Sequence, residues 1–153
     1  MTVEDNLKNL NIKLPDAPKP VGSYVAYKKV GKLVFVSGQV SFQGDGNLIK
    51  GKIGSDLTLE QGQNAAKVCA INILSQIKSA CDGDLNKVKN CIKITGFVNS
   101  IDSFTEQPKI INAASEIIAK VFGEKGVHSR AAVSVNSLPL GASVEIEAIF
   151  EVD

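Results

Sequence analysis

Residues 128–152, HSRAAVSVNSLPLGASVEIEAIFEV, decide the fold. They form two strands joined by a tight loop. Ala132 to Asn136 alternates small or apolar residues with polar ones. Leu138-Pro139-Leu140-Gly141 carries turn chemistry, because proline fixes φ and glycine permits positive φ. From Ala142 to Val152 the period is two. Ala142, Val144, Ile146, Ala148, Phe150 and Val152 fall on one face; Ser143, Glu145, Glu147, Ile149 and Glu151 fall on the other. Two residues stand out in this pattern. Arg130 sits at the mouth of an apolar strand, and Glu145 lies inside one. The ordinary reading of each is a solvent-facing residue.

Upstream, the periodicity changes twice to that of a helix. Thr58-Leu59-Glu60-Gln61 is a capping box. After it, Ala66, Cys69, Ala70, Ile73, Leu74, Ile77, Ala80 and Cys81 keep the spacing of one buried stripe, which Asp82-Gly83-Asp84 ends. Glu106-Gln107-Pro108 opens a second long helix, with proline near its first turn. Its stripe is Ile110, Ile111, Ala114, Ile117, Ile118, Val121 and Phe122, and Gly123 to Gly126 stops it. Between the two helices Val88 to Val98 has strand character, with Val88, Ile92, Ile94 and Gly96 in phase. A polar corner follows from Asn99 to Phe104.

Nearer the N-terminus, Ser23 to Val30 and Lys32 to Val40 are the first two strands, turning at Gly31. The run Leu33-Val34-Phe35-Val36 suits a strand buried on both faces. It ends at Ser37-Gly38-Gln39, where glycine permits a bulge or a close backbone approach. Gln43 to Gly54 is a glycine-rich loop without phosphate-binding spacing. Thr2 caps a short helix that runs to about Asn11. Residues 14–20 hold three prolines and form an extended strap.

The element order is β-β-α-β-α-β-β, within a single domain spanning residues 1–153. The first 20 residues form its N-terminal helix and strap. Two helices with one stripe each belong on one face of a four- to six-stranded sheet. The other face has no helix to cover it, yet it carries apolar residues. That arrangement predicts a partner subunit.

A chain of 153 residues suits one core that buries ~70% of the unfolded surface. The net charge of +1 gives no basic face, so nucleic acid is not the expected partner. Cys69, Cys81 and Cys91 form no CxxC pair, so neither disulfide nor metal site is expected. His128, the only histidine, is expected on an exposed loop. The polar start lacks a signal peptide, and no apolar run is long enough to span a membrane. A reducing cytoplasm is therefore the expected location.

The sequence resembles the RidA/YjgF family, the reactive-intermediate deaminases. The resemblance runs from Val21 onward. It is carried by Gly22-Ser23-Tyr24, Leu33-Val34-Phe35-Val36-Ser37-Gly38-Gln39, Phe97-Val98, the Arg130 stretch, Leu138-Pro139 and Val144-Glu145-Ile146-Glu147-Ala148-Ile149. The N-terminal segment and the ending resemble a longer subgroup. The resemblance implies a chorismate-mutase-like α+β fold, with two long helices on one face of a mixed sheet and sheets packed together in a homotrimer. Three clefts between subunits would bind small 2-imino or 2-keto acids, without a cofactor. By motif position Arg130 would clamp the substrate carboxylate and Glu145 would hold the attacking water. Tyr24, Ser37 and Gly38 would line the cleft.

Three departures are visible. Gly22-Ser23-Tyr24 stands where the family usually has Gly-Pro-Tyr. Arg130-Ala131-Ala132 stands where it usually has Arg-Ser-Cys. Asp102 occupies a cleft position commonly held by Asn, and an acid there repels a carboxylate. The implied activity is a 2-iminobutanoate/2-iminopropanoate-type deaminase that yields keto acids and ammonia. The alternative is a trimeric keto-acid-binding or regulatory module without catalysis. A third description, endoribonuclease or translation inhibitor, conflicts with the balanced charge.

Overall fold

A computed structural model describes residues 1–153. Thr2 caps helix α1 (Val3–Asn9) through a reciprocal box with Asp5, and α1 stops two residues short of the expected Asn11. Strands β1 (Tyr27–Val30) and β2 (Leu33–Val40) form a hairpin across Gly31, whose φ of 59° a β-carbon would disfavour. Helix α2 (Leu59–Ala80) begins at the Thr58 capping box and ends at Cys81. Strand β3 (Val88–Asn99), helix α3 (Gln107–Phe122), strand β4 (Ser129–Val135) and strand β5 (Val144–Val152) complete the chain. The sheet order is β1-β2-β5-β3-β4. Only β3 and β4 run parallel, connected through α3.

The expected helical stripes are the ones that bury. Ala66, Cys69, Ala70, Ile73, Leu74 and Ile77 of α2 are fully buried, as are Ile110, Ile111, Ala114, Ile118 and Val121 of α3. They cover the face of β5 that presents Val144, Ile146, Ala148, Phe150 and Val152. Alanines in both stripes let the helices lie close together. Phe122 meets Phe150 edge-on, with ring centroids 5.9 Å apart.

Four local expectations need correction. Residues 23–26 bend away and do not extend β1, because their bonds to β2 come only from Ser37 at its bulge and form no ladder. The run 33–36 is covered on one side only within the chain. Val34 and Val36 are buried, whereas Leu33 and Phe35 are 37% and 43% exposed. In β3, Cys91 rather than Ile92 points into the core, since the register with β5 shifts between Cys91 and Lys93. His128 is partly buried and bonded through both ring nitrogens, so it is not an exposed loop residue.

The tight loop at Leu138–Gly141 does join β4 to β5, but the two strands are not neighbours, because β3 lies between them. The loop crosses the end of β3. There Asn99 receives it through its amide N–H to the Ser143 carbonyl (2.8 Å) and its Nδ2 to the Ala142 carbonyl (3.1 Å). Lys52 Nζ ties the crossing from the other side, donating to Asn99 Oδ1 and the Asn136 carbonyl. Leu140 and Gly141 both take left-handed backbone to make the turn.

The strap runs along α2, held by buried polar side chains. Ser75 Oγ donates to the Pro15 carbonyl (2.9 Å), and Gln76 Nε2 to the Pro18 carbonyl (2.6 Å). Buried amides here stay satisfied, as the low-dielectric interior demands. Cys69, Cys81 and Cys91 are buried free thiols, and burial pushes the Cys91 thiol up to about 12. No helix is long and apolar enough to cross a membrane.

After α3 the chain turns into β4 through a 3-10 segment, Gly123–Gly126. A β-carbon at Gly126 would lie 2.4 Å from the Ile118 carbonyl oxygen and 2.9 Å from Ala119 Cα. Backbone cannot yield as a side-chain tip can. Gly126→Ala should therefore destabilise the fold by about 1–3 kcal/mol. In a chain of this size that lowers Tm by roughly 3–10 °C. Calorimetric unfolding at the wild-type melting temperature would overturn this packing if the variant showed no change.

Candidate functional site

Strand alternation assigns each candidate residue to a face. Arg130 pairs with Ile94, which is fully buried beneath the helices, so Arg130 projects from the helix side of the sheet. Glu145 pairs with Phe97 on β3 and Val40 on β2, between buried Val144 and Ile146, so it projects from the open side. Within one chain the sheet lies between them. The structure brings Glu145, Gly38 and the Tyr24 segment together, and leaves Arg130 and Asp102 elsewhere.

The Glu145 half is built by a bulge. The register between β2 and β5 slips by one residue between Val36 and Gln39, leaving Ser37 and Gly38 as the extra length. There the Glu145 carboxylate lies against the β2 backbone. A β-carbon on Gly38 would stand 2.3 Å from Glu145 Oε1 and 2.9 Å from its carboxyl carbon. Only glycine leaves room for this seat. Glu145 is half-buried. Burial, and then the neighbouring Glu147 carboxylate, raise its proton affinity above the ordinary carboxylate range.

Ser37, expected to line the cleft, is bonded within the chain. Its hydroxyl donates to the Val25 carbonyl at 2.7 Å, and its amide to the Ala26 carbonyl at 2.9 Å. It holds the incoming segment on the bulge, so its oxygen is engaged within the chain. Gln39 Nε2 in turn donates to the Ser37 carbonyl, and Gln76 Nε2 to Gln39 Oε1 (3.3 Å). Tyr24 is about half exposed, and it lines a small cavity with Gly38, Gln39, Pro18 and Phe42. Its ring lies over Gly22, where a β-carbon would come within 3.0 Å of Tyr24 Cε1.

The Arg130 half lies on edge strand β4. The guanidinium folds onto α3, donating from Nη1 to Ser115 Oγ (3.0 Å) and from Nη2 to the Pro108 carbonyl (3.3 Å). No carboxylate pairs with it; the chain's four ion pairs all use lysine. A guanidinium has five N–H donors, so three remain free. His128 Nε2 reaches the same Ser115 oxygen at 2.9 Å. Sequence reasoning missed Ser115 because a lone polar residue in an amphipathic helix looks like ordinary surface. The available signal was that the only arginine and the only histidine stand two residues apart, at the start of a strand.

Asp102 is exposed in the corner after β3 and forms no ion pair with Arg130. No three His, Cys, Asp or Glu side chains gather as a metal site requires.

A family model described as "YjgF/chorismate_mutase-like, putative endoribonuclease" matches residues 4–151. Protein TCP17 of Trypanosoma cruzi is 45% identical over 152 residues, which is 99% of this chain and 94% of that protein. The crystal structure of Atu1372 from Agrobacterium tumefaciens, a protein of unknown function, superposes with a TM-score of 0.91 at 45% identity. That match covers 99% of this chain and 94% of Atu1372. RidA from an Antarctic Psychrobacter superposes at 0.61 with 29% identity, covering 92% of this chain and 97% of RidA. A five-stranded mixed sheet with helices on one side, a matching family model and these relatives converge: the chain belongs to the RidA/YjgF family.

Proposed function

We propose that the protein hydrolyses small 2-imino acids to 2-keto acids and ammonia, in clefts between the subunits of a homotrimer. The observation that carries this reading is the Glu145 carboxylate seated on Gly38, half-buried and with raised proton affinity. A carboxylate so placed is suited to orient a water and take its proton. Water adds to the imine carbon as its proton passes to Glu145, Glu145 returns that proton to the nitrogen, and the tetrahedral adduct collapses to the ketone, its hydroxyl proton leaving with the nitrogen as ammonia. The balance is one imine and one water in, one ketone and one ammonia out. No cofactor is needed for these steps.

The substrate carboxylate needs a cation, and Arg130 has three uncommitted N–H donors and no internal counter-ion. Because the sheet separates Arg130 from Glu145 within one chain, a complete site takes Glu145 from one subunit and Arg130 from the next. The open sheet face supports this assembly. Val30, Leu33, Phe35 and Val133 are exposed there at 61%, 37%, 43% and 44%, an apolar surface that a second sheet would cover. Buried, unpaired thiols suit a reducing cytoplasm.

Asp102 favours a second reading, a keto-acid-binding module without turnover: the resemblance implies a cleft position for this exposed acid, where it would oppose an anionic substrate. RNA cleavage fits less well, because a net charge of +1 provides little counterion release.

Sedimentation should give a particle three times 16.2 kDa, and a monomer at micromolar concentration would overturn the shared cleft. Arg130→Ala should weaken 2-ketobutyrate binding by about 30- to 1000-fold, read by calorimetry. Glu145→Gln should lower imine turnover by about 100-fold or more while that affinity stays near wild type. The same substitution should also raise Tm at neutral pH. A carboxyl that holds its proton more tightly when folded reduces stability as pH rises through and above 4.5, and glutamine removes that penalty. Below that range the two melting curves should converge. If wild type releases no keto acid from enzymatically generated imines, the binding-module reading replaces the deaminase.

A further inference from the structure

The chain's single arginine and single histidine end on one hydroxyl group, that of Ser115. We propose that Ser115 and His128 are positioning residues for Arg130, fixing its guanidinium so that its free N–H edge is presented to a ligand carboxylate. This rests on the reading of Arg130 as the carboxylate clamp.

The hydrogen bonds can run in only one direction when the imidazole is neutral. His128 Nδ1 lies 2.6 Å from the Gly126 carbonyl oxygen. A carbonyl can only accept, so Nδ1 carries the ring proton. Nε2 is then a bare acceptor and takes the Ser115 O–H at 2.9 Å. With its proton directed at the ring, Ser115 Oγ offers lone pairs to Arg130 Nη1 at 3.0 Å. The Pro108 carbonyl fixes Nη2, which makes a two-point hold on a long side chain. Without His128, the Ser115 hydroxyl would be free to turn to the carbonyl four residues back, that of Ile111.

The choice of neutral partners has a consequence. An aspartate or glutamate would hold Arg130 as well, but it would compete with an incoming carboxylate. A hydroxyl oriented by a neutral ring restricts the arginine's rotamers and leaves its charge to the ligand, so less side-chain entropy is lost on binding. The two helix-side anchors and the imidazole all come from α3 and the chain leading into β4. The close passage of Gly126 beneath Ile118 and Ala119 sets the spacing between them.

The test uses the full-length protein and 2-ketobutyrate as the probe. Calorimetry should show Ser115→Ala raising Kd by about 5- to 20-fold, and His128→Phe by about 3- to 10-fold. Ser115→Thr, which keeps the hydroxyl, should stay within about threefold of wild type. Nitrogen NMR of the single histidine should report a protonated Nδ1 and a bare Nε2. Keto acid should move the Nε2 resonance in wild type and leave it unmoved in Arg130→Ala. If Ser115→Ala does not fold, His128→Phe and the nitrogen spectrum decide. Wild-type affinity in Ser115→Ala and His128→Phe, with Arg130→Ala still weakened, would overturn the positioning role alone. So would a histidine protonated on Nε2. Unchanged affinity in Arg130→Ala would overturn the clamp reading and the positioning role together.

Discussion

A side chain cannot pass through a β-sheet, and that fact organises this molecule. Helices α2 and α3 cover one face, and alternation along β5 sends Glu145 out of the other. Register with Ile94 sends Arg130 to the helix side. The two residues with the most evident chemistry are therefore placed back to back. Neither can complete a site with the other in the same chain. Leu33 and Phe35 project from the same open face as Glu145, further along the sheet, and nothing in the chain covers them.

The region around Glu145 shows how much backbone is arranged for one carboxylate. An extra residue in β2 bends the strand, a glycine clears the space, and a serine pins the neighbouring segment. Behind them, Gln39 and Gln76 link that bulge to Pro18 of the strap, so the N-terminal segment reaches the rim of the Glu145 seat through a continuous line of buried amides. Asn72 adds a further tie, donating from Nδ2 to the Phe42 carbonyl at 2.8 Å. Buried amides in such numbers require full satisfaction, and in return they fix one geometry. The strap is thereby tied to the bulge on which Glu145 is seated.

The two halves differ in how they hold charge. Glu145 is kept uncomfortable, with burial and Glu147 both disfavouring its ionised form. Arg130 is kept comfortable but unpaired, anchored on a hydroxyl and a carbonyl. One group is thus held where its charge is disfavoured, the other where its charge is left without an internal counter-ion.

Much of this was legible in the chain itself. Both helical stripes, both capping residues Thr2 and Thr58, the order of elements and the two faces of β5 follow from period and turn chemistry, because those depend on neighbours only a few residues away. The Ser-Gly-Gln block and the Arg130 and Glu145 motifs carried the family. Other features needed the folded chain. The slip at Cys91, the separation of β4 from β5 by β3, the engagement of Ser37 with Val25 and the meeting of His128, Arg130 and Ser115 all depend on residues distant in sequence. Local pattern states which face a residue can occupy. Only packing and register decide what it meets there, since those are set by contacts that sequence spacing does not encode.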